Sequence, residues 1–296
     1  MKFEHIGMVG YGEVGRIFTA GLKQQVGAVS AWDIKFPANP AHREQAVQAG
    51  VQACDSVAAL CAQVDLVISA VTASNTLAVA QAAAAHIRPG AVFLDLNSAS
   101  PGTKQQAAQL IEAAGALYVE AGVMTSVPPY GIRVPMLLGG ASAAGLADVL
   151  NTWGMDAKAV SDKLGVASAI KMCRSVMIKG LEALVIESYA TARAYGVEGH
   201  VLPTLAETFP SIDWEKQGAY FFSRVVQHGQ RRAEEMREAA NTVREAGFEP
   251  FMASAIADKQ QWVADQARAG VFASVGKDAR WQDYADKLST DKLLSS

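Results

Sequence analysis

Short apolar runs alternate with amphipathic stretches over the first 160 or so residues of the chain. The apolar runs predict β-strands at residues 6–9, 28–32, 66–70, 92–96, 117–120 and 134–138. Between them, apolar residues at helical spacing predict helices at residues 14–25, 41–48, 56–62, 76–86, 101–114 and 143–152. Strands that alternate with helices in this way predict a parallel, doubly wound α/β sheet.

The pattern changes after Gly165. Residues 166–195 read as one long, mostly apolar helix, and the rest of the chain reads as helices without a clear strand. Helix-breaking residues at Pro203, Pro210, residues 247–250 and Gly270 are expected to divide this region. We therefore predict two domains, an α/β domain over residues 1–162 and an all-α domain over residues 163–296.

A glycine-rich motif follows the first predicted strand. Gly10, Gly12 and Gly15 form Gly-x-Gly-x-x-Gly at the start of a predicted helix, and the second strand ends at Asp33. In dinucleotide-binding proteins these glycines permit a tight turn, close approach of a pyrophosphate, and close packing of helix on strand. Asp33 lies where a carboxylate accepts hydrogen bonds from the adenosine ribose. The combination predicts a Rossmann domain that binds NAD or NADP, and a purely structural glycine turn is the alternative.

The predicted cofactor site extends beyond the glycines, because such sheets bind ligands beyond the carboxyl ends of their strands. The residues predicted to contact the cofactor are Gly10, Tyr11, Gly12, Glu13, Val14, Gly15, Asp33, Val71, Thr72 and Asn97. The Asp33 carboxylate repels a 2′-phosphate and so favours NAD over NADP. Lys35, two residues later, offsets part of that repulsion.

Composition narrows the classes of protein that the chain can represent. A formal net charge of −3 provides no basic surface for nucleic acid or for an anionic membrane. We find no apolar stretch long enough to span a bilayer and no signal peptide. The three cysteines, Cys54, Cys61 and Cys173, fit neither a disulfide framework nor a metal site, and no other cluster has ligand spacing. We therefore expect a cytoplasmic protein without a metal cofactor.

The long helix carries a polar stripe in apolar surroundings. Its members are Ser168, Lys171, Ser175, Lys179 and Glu182, which share one face because they are three or four residues apart. A lysine in such a setting reaches to water, pairs with an acid, or acts in catalysis. Because the helix directly follows a dinucleotide-binding domain, we favour the catalytic interpretation for this stripe.

Four segments of the chain together resemble the β-hydroxyacid dehydrogenases, the family of 3-hydroxyisobutyrate and 6-phosphogluconate dehydrogenases. They are residues 6–15, residues 95–101 (Asp-Leu-Asn-Ser-Ala-Ser-Pro), residues 120–123 leading to 138–140, and residues 165–171. The resemblance implies that Lys171 is the catalytic lysine and that Asn97 and Ser98 orient the substrate. It also implies that Gly122, Val123, Met124 and Ser175 line the substrate site.

The implied activity is an NAD(P)-dependent interconversion of a β-hydroxy acid, or a related polar alcohol, with its carbonyl compound. Oxidation of a hydroxyl needs a base beside the oxygen, and a partly desolvated lysine can fill that role. Met124-Thr125-Ser126 replaces the Ser-Gly-Gly of many relatives, and Ser175 replaces their asparagine. Apolar side chains that favour a bulkier substrate are Val123, Met124, Tyr130, Trp214, Phe221 and Phe222.

Two other functions stay open at this point. An imine reductase shares this architecture but usually lacks a lysine at position 171, and a non-catalytic redox sensor would bind the dinucleotide without turnover. We expect His42 to lie on an exposed helix face without a role. The apolar long helix and the alanine-rich helices that follow predict a homodimer or higher oligomer through the C-terminal domain.

Overall fold

The computed structural model describes residues 1–276 and 278–289. An eight-stranded sheet is built from β1 (His5–Val9), β2 (Ala28–Trp32), β3 (Gln52–Ala53), β4 (Leu66–Ser69), β5 (Val92–Asp95), β6 (Leu117–Val123), β7 (Pro135–Gly139) and β8 (Asp156–Ser161). Its strand order is β3-β2-β1-β4-β5-β6-β7-β8. The first six strands are parallel and have the order of a doubly wound dinucleotide-binding sheet, which confirms the predicted α/β fold class.

The helices of the sheet-containing part are α1 (Glu13–Leu22), α2 (Pro40–Gln48), α3 (Val57–Cys61), α4 (Thr76–Ala84), α5 (Pro101–Ala113) and α6 (Ala143–Thr152). The later helices are α7 (Val166–Tyr195), α8 (Glu198–Thr208), α9 (Trp214–Glu245), α10 (Phe251–Arg268) and α11 (Trp281–Ser289). Side chains cap several of them, as where Ser100 accepts a hydrogen bond from the Thr103 N–H at the start of α5. No helix in the described ranges is long and apolar enough to cross a membrane.

Both faces of the sheet are buried. Ile68 and Leu94 pack in one apolar cluster, whereas Val67 and Phe93, their neighbours along β4 and β5, pack in another. Successive side chains of a strand point to opposite faces, so a strand covered on both sides must be apolar throughout. The continuous apolar runs of the sequence have this origin.

The expectation of an all-parallel sheet is wrong at β7. This strand runs antiparallel to β6, and β8 runs parallel to β7. A parallel neighbour requires a crossover connection, usually a helix. Residues 124–134, between β6 and β7, contain only the short 3-10 turn Gly131–Arg133, so the chain returns beside β6 in the opposite direction.

Two strands and one helix also differ from the sequence expectations. Neither β3 nor β8 was predicted from the sequence. β3 has only two residues, whereas the alternation of polar and apolar residues over residues 156–159 of β8 is typical of a strand with one exposed face. Pro203 does not interrupt a helix, because it lies inside α8. A proline leaves the carbonyl four residues earlier without its helical partner, and that residue, Gly199, is exposed to water.

The chain divides into two compact units, Met1–Cys173 and the residues from Arg174 onward. The division therefore falls inside α7, whereas the predicted boundary at residue 162 lies in the connection between β8 and α7. Every regular element described in the second unit is a helix, as predicted, and the core of this unit includes Tyr189, Phe222 and Trp281.

Two ion pairs in the second unit involve buried side chains. The Arg232 guanidinium bonds both oxygens of Glu182, with 3.0 Å between Nε and Oε2, and both residues are buried. Lys179 Nζ lies 2.8 Å from Oε2 of Glu235. Gln260, which is also buried, donates from Nε2 to Glu182 at 3.3 Å. The charged groups of the polar stripe beyond residue 173 are thus held in the interior of the helical unit.

Replacing Arg232 with Met should destabilise the helical unit by about 3–5 kcal/mol, because Glu182 keeps a buried charge without its partner. Arg237→Met on the same helix is the matched control, since Arg237 is exposed. It should change the free energy of unfolding by about 0.5 kcal/mol or less. Urea denaturation of both variants measures the difference, and equal costs would show that the buried pair contributes no more than a surface arginine.

Candidate active site

The turn between β1 and α1 is built around three glycines with different surroundings. Gly10 has a φ of +94°, and a Cβ atom there would overlap the Ala70 carbonyl. A Cβ atom at Gly15 would overlap the Gly10 carbonyl. At Gly12 no atom lies within 4 Å of a Cβ position, so the backbone faces open space. Two glycines are therefore required by packing, whereas the third keeps room beside the backbone.

That room lies at the start of α1, where the first-turn N–H groups of a helix have no intrahelical partners and attract anions. Glu13 is exposed in this first turn, Val14 is half-buried, and Tyr11 is buried. An open glycine backbone beside a helix N-terminus fits the pyrophosphate of a dinucleotide. The residues present therefore fit the cofactor that the glycine motif implies.

The Asp33 side chain is fixed at the end of β2. Its Oδ2 atom accepts a hydrogen bond from the Tyr11 N–H at 2.7 Å, and its Oδ1 atom accepts one from the Lys35 N–H at 2.9 Å. The residue is 8% exposed. The carboxylate is therefore held beside the glycine turn by two backbone donors.

The expectation that His42 lies on an exposed helix face is wrong. Its ring packs against the rings of Tyr11 and Phe36, with centroid distances of 5.9 Å and 5.4 Å. Its Nε2 atom lies 3.9 Å from Oδ2 of Asp33. The cause is the fold of residues 33–42, which turns the first residues of α2 back over the end of β2, a contact that helical periodicity cannot reveal.

Asn97 joins the carboxyl ends of β4 and β5. Its Oδ1 atom accepts a hydrogen bond from the Val71 N–H at 2.7 Å, and its Nδ2 atom donates to Ser69 Oγ at 3.0 Å. The residue is buried, whereas Thr72, just beyond, is exposed. The asparagine side chain thus fixes the loop that carries Val71 and Thr72.

A buried ionic network lies under the loop after β5. Lys104 Nζ is 2.9 Å from both the Asp95 carboxylate and the Asp95 carbonyl, and the lysine is fully buried. The Tyr118 hydroxyl donates to Asp95 Oδ2 at 2.6 Å, and the Asn97 N–H donates to Oδ1 at 2.9 Å. Burial, together with the Asp95 charge, raises the pKa of Tyr118 well above its usual value, so its hydroxyl stays a donor.

Lys171 reaches the end of β5. Its Nζ atom lies 2.6 Å from Ser98 Oγ, and both residues are half-buried. Both belong to the first compact unit, which also carries the glycine turn and Asp33. The two residues that the family resemblance placed in catalysis and substrate orientation are thus in direct contact.

The start of α7 is fixed by Glu120, a buried residue of β6. One carboxylate oxygen accepts hydrogen bonds from the N–H groups of Gly165 at 2.8 Å and Ala167 at 3.0 Å, and the other accepts from Ser168 Oγ at 2.7 Å. Gly122 lets the helix approach β6 closely. A Cβ atom there would lie 3.0 Å from the Ala167 carbonyl oxygen.

The other predicted substrate residues have varied surroundings. Val123 and Met124 are half-buried, and the Met124 N–H donates to the Pro135 carbonyl at 2.9 Å. Ser175 belongs to the second unit, is buried, and accepts a hydrogen bond from Lys179 Nζ at 3.2 Å. The aromatic residues that favoured a bulky substrate, Trp214, Phe221 and Phe222, lie in the apolar core of the second unit.

Asp95, Lys104, Tyr118 and Glu120 are functional residues that were not predicted from the sequence. Asp95 and Glu120 lie inside the motifs that carry the family resemblance, so their position was a usable signal. Lys104 was not recognisable, because a single lysine on an amphipathic helix usually faces water. Within the described residues, no group of three or more His, Cys, Asp or Glu side chains is arranged to hold a metal ion.

Two family matches cover separate parts of the chain. The NAD binding domain of 6-phosphogluconate dehydrogenase matches residues 5–146, and a domain of unknown function, DUF1932, matches residues 192–263. A conserved hypothetical protein from Sinorhizobium meliloti 1021 is 36% identical, with a TM-score of 0.75 over 97% of this chain and 96% of its own.

More distant structures share the fold. A 3-hydroxyisobutyrate dehydrogenase from Mycobacterium tuberculosis, solved with L-serine, is 17% identical and has a TM-score of 0.70 over 97% of this chain and 99% of its own. A reductive aminase from Aspergillus terreus, solved with NADPH and ethyl levulinate, is 20% identical and has a TM-score of 0.57 over 91% of this chain and 95% of its own.

The NAD-binding domain and the site at its sheet edge define a dinucleotide-dependent oxidoreductase. The chain belongs to the β-hydroxyacid dehydrogenase family, as its sequence motifs predicted.

The different surroundings of Gly12 and Gly15 predict different stabilities for their alanine variants. Gly12→Ala should leave the free energy of unfolding within about 0.5 kcal/mol of the parent, because its φ of −73° suits alanine and the site is open. Gly15→Ala should destabilise the protein by roughly 2 kcal/mol or more, because the added methyl overlaps the Gly10 carbonyl. Chemical denaturation tests both. A large loss of stability in Gly12→Ala would contradict the open space beside the Gly12 backbone.

Proposed function

We propose that the protein is an NAD(P)-dependent dehydrogenase that interconverts a β-hydroxy acid, or a related polar alcohol, with its carbonyl compound. The observation that carries the proposal is the 2.6 Å contact between Lys171 Nζ and Ser98 Oγ at the carboxyl end of β5. In a doubly wound sheet, ligands bind at this edge. A lysine and a hydroxyl that meet there are suited to bind and deprotonate an alcohol.

The cofactor is held by the glycine turn and by the end of β2. The backbone at Gly10, Gly12 and Gly15 and the N-terminus of α1 receive the pyrophosphate, and Asp33 accepts hydrogen bonds from the adenosine ribose. The further contacts are Tyr11, Glu13, Val14, Val71, Thr72 and Asn97. When bound, the nicotinamide supplies the chemistry of accepting or donating a hydride.

Lys171 transfers the proton of the substrate hydroxyl. In the direction of oxidation its neutral amine accepts the proton of the substrate hydroxyl, and in the direction of reduction its ammonium returns it. The charged form also stabilises negative charge on the substrate oxygen. Ser98 orients that oxygen, and Asn97 keeps the loop in place through its bonds to Val71 and Ser69.

The substrate lies against β6 and the first turns of α7 in this proposal. Gly122, Val123 and Met124 line one side, and Ser175 is the further contact on α7. The Ser-Gly-Gly segment of many relatives is absent, so the substrate carboxylate is received differently here. The Trp214, Phe221 and Phe222 side chains lie in the core and therefore do not argue for a bulky substrate.

Imine reduction is the second candidate, because the fold is shared with the Aspergillus terreus reductive aminase that was solved with NADPH and ethyl levulinate. Lys171 favours an alcohol over an imine, since loss of a hydroxyl proton needs a base beside the oxygen. Turnover of cyclic imines that survives the loss of Lys171 would favour this second candidate.

Lys171→Met should lower kcat for hydroxy acid oxidation by about 10²–10⁴-fold, the usual contribution of a general base. The Kd for NADH should change by less than about twofold, because Lys171 handles the substrate proton. Reduction of NAD(P)⁺ by a panel of β-hydroxy acids, followed by absorbance, measures the first effect, and fluorescence titration measures the second. Lys163→Met, at an exposed lysine just before α7, is the control. Activity of Lys171→Met within about tenfold of the parent would exclude the proposed role.

We further propose that NAD is favoured over NADP. The Asp33 carboxylate, held by two backbone N–H groups, accepts from ribose hydroxyls and repels a 2′-phosphate. Asp33→Ser should weaken NADH binding by about tenfold, the cost of losing charged hydrogen bonds, and should tighten NADPH binding. Titration with both dinucleotides checks this, and an unchanged Kd for NADH would contradict the assignment.

We also propose a homodimer or higher oligomer in the cytoplasm. Ile170, Met177 and Leu184 are seven residues apart along α7 and are 40%, 74% and 57% exposed, which favours burial against another copy. The three cysteines are free thiols, which suits a reducing compartment. No feature of the described residues favours nucleic acid or a membrane as a partner.

A further inference from the structure

His42 lies next to the residue that the proposed function assigns to the adenosine ribose. Its Nε2 atom is 3.9 Å from Oδ2 of Asp33, within ion-pair distance but too far for a hydrogen bond. The atom is sealed from solvent and has no hydrogen-bond partner among the described residues. A buried, unpartnered ring nitrogen beside a carboxylate requires an explanation, because burying a polar atom without a partner costs stability.

The surrounding groups hold the ring in this place. Tyr11 and Phe36 pack against it, with centroid distances of 5.9 Å and 5.4 Å, and pack against each other at 5.9 Å. The three aromatic rings are therefore in mutual contact. The imidazole cannot swing away without breaking this cluster.

The other charged groups nearby are directed elsewhere. Arg43, the next residue on α2, pairs with Asp55 at 2.7 Å and donates to the Ala53 carbonyl at 3.0 Å. Lys35 contacts Asp33 through its backbone N–H, and the residue is exposed. The titratable groups that face the imidazole in the described contacts are thus Asp33, from the end of β2, and the Tyr11 phenol, from the turn after β1.

We propose that His42 determines the choice between NAD and NADP by controlling the charge at Asp33, an inference that rests on the proposed function. With a neutral imidazole, the carboxylate keeps its full negative charge and repels a 2′-phosphate. A protonated imidazole at 3.9 Å pairs with the carboxylate and removes most of that repulsion. Histidine is the side chain that changes charge between about pH 5 and pH 8. The preference for NAD is therefore weaker in molecules whose imidazole is protonated than in those whose imidazole is neutral.

The test compares the two dinucleotides at two pH values. NADH and NADPH are titrated into the complete chain at about pH 6 and about pH 8, at equal ionic strength, with fluorescence as the readout. The measured quantity is the ratio of Kd for NADPH to Kd for NADH. Because the 2′-phosphate itself titrates near pH 6, the same ratio is measured in His42→Gln, whose side chain stays neutral. We expect the ratio to fall about fivefold more in the parent than in the variant.

Further variants separate charge from structure. His42→Phe restores the ring packing without a titratable group and should behave as His42→Gln does. His86→Gln, at an exposed histidine of the same unit, should behave as the parent does.

The outcomes distinguish the two proposals. A pH dependence that is equal in the parent and in both His42 variants overturns the role of His42, and so does a constant ratio in the parent, which requires no variant to fold. If neither dinucleotide binds to the parent, the proposed function itself fails, and the inference fails with it.

Discussion

The site depends above all on the carboxylate of Glu120. This buried group of β6 accepts two backbone hydrogen bonds and one hydroxyl hydrogen bond at the start of α7. A negative charge at a helix N-terminus is favourable, and the buried charge is stable only because its partners are in place. Lys171 follows within two turns on the same helix. Its contact with Ser98 therefore depends on where Glu120 and the bare Gly122 backbone place α7 against β6.

A second constraint acts on the other partner of that contact. Ser98 lies on a loop whose base is fixed by Asp95, and Asp95 is itself held by Lys104 and by the Tyr118 hydroxyl. Asn97 links the same loop to the end of β4. Buried polar groups of this kind are stabilising only when every member is satisfied, and a satisfied network is rigid. The lysine and the serine are thus each positioned by a buried carboxylate of the same sheet.

Much of this arrangement could be predicted from the sequence, for identifiable reasons. The apolar runs of β1, β4 and β5 are continuous because both faces of the sheet are covered. The spacing of Gly10, Gly12 and Gly15 is recognisable because a dinucleotide-binding turn needs glycine where two backbone segments pack closely and where the ligand approaches the backbone. The direction of β7 cannot be predicted from the pattern of apolar and polar residues along the strand. It depends on the connection from β6, which is too short for a crossover helix.

The features that escaped prediction are contacts between residues distant in sequence. Lys104 reads as a solvent-facing lysine until β5 is placed beside it, and His42 reads as a surface residue until the chain after β2 folds back. Both were hidden because periodicity reports which face of an element is apolar, but not which charged group another element brings to it.

We propose that the glycine turn, Asp33 and the pair Ser98–Lys171 form one dinucleotide-dependent site. A crystal structure of the complete chain with NADH tests it most directly. We expect the pyrophosphate beside Gly12, the adenosine ribose at Asp33, and the nicotinamide ring within about 4 Å of Ser98 or Lys171. A dinucleotide bound elsewhere, or a nicotinamide ring directed away from Lys171, would contradict the account.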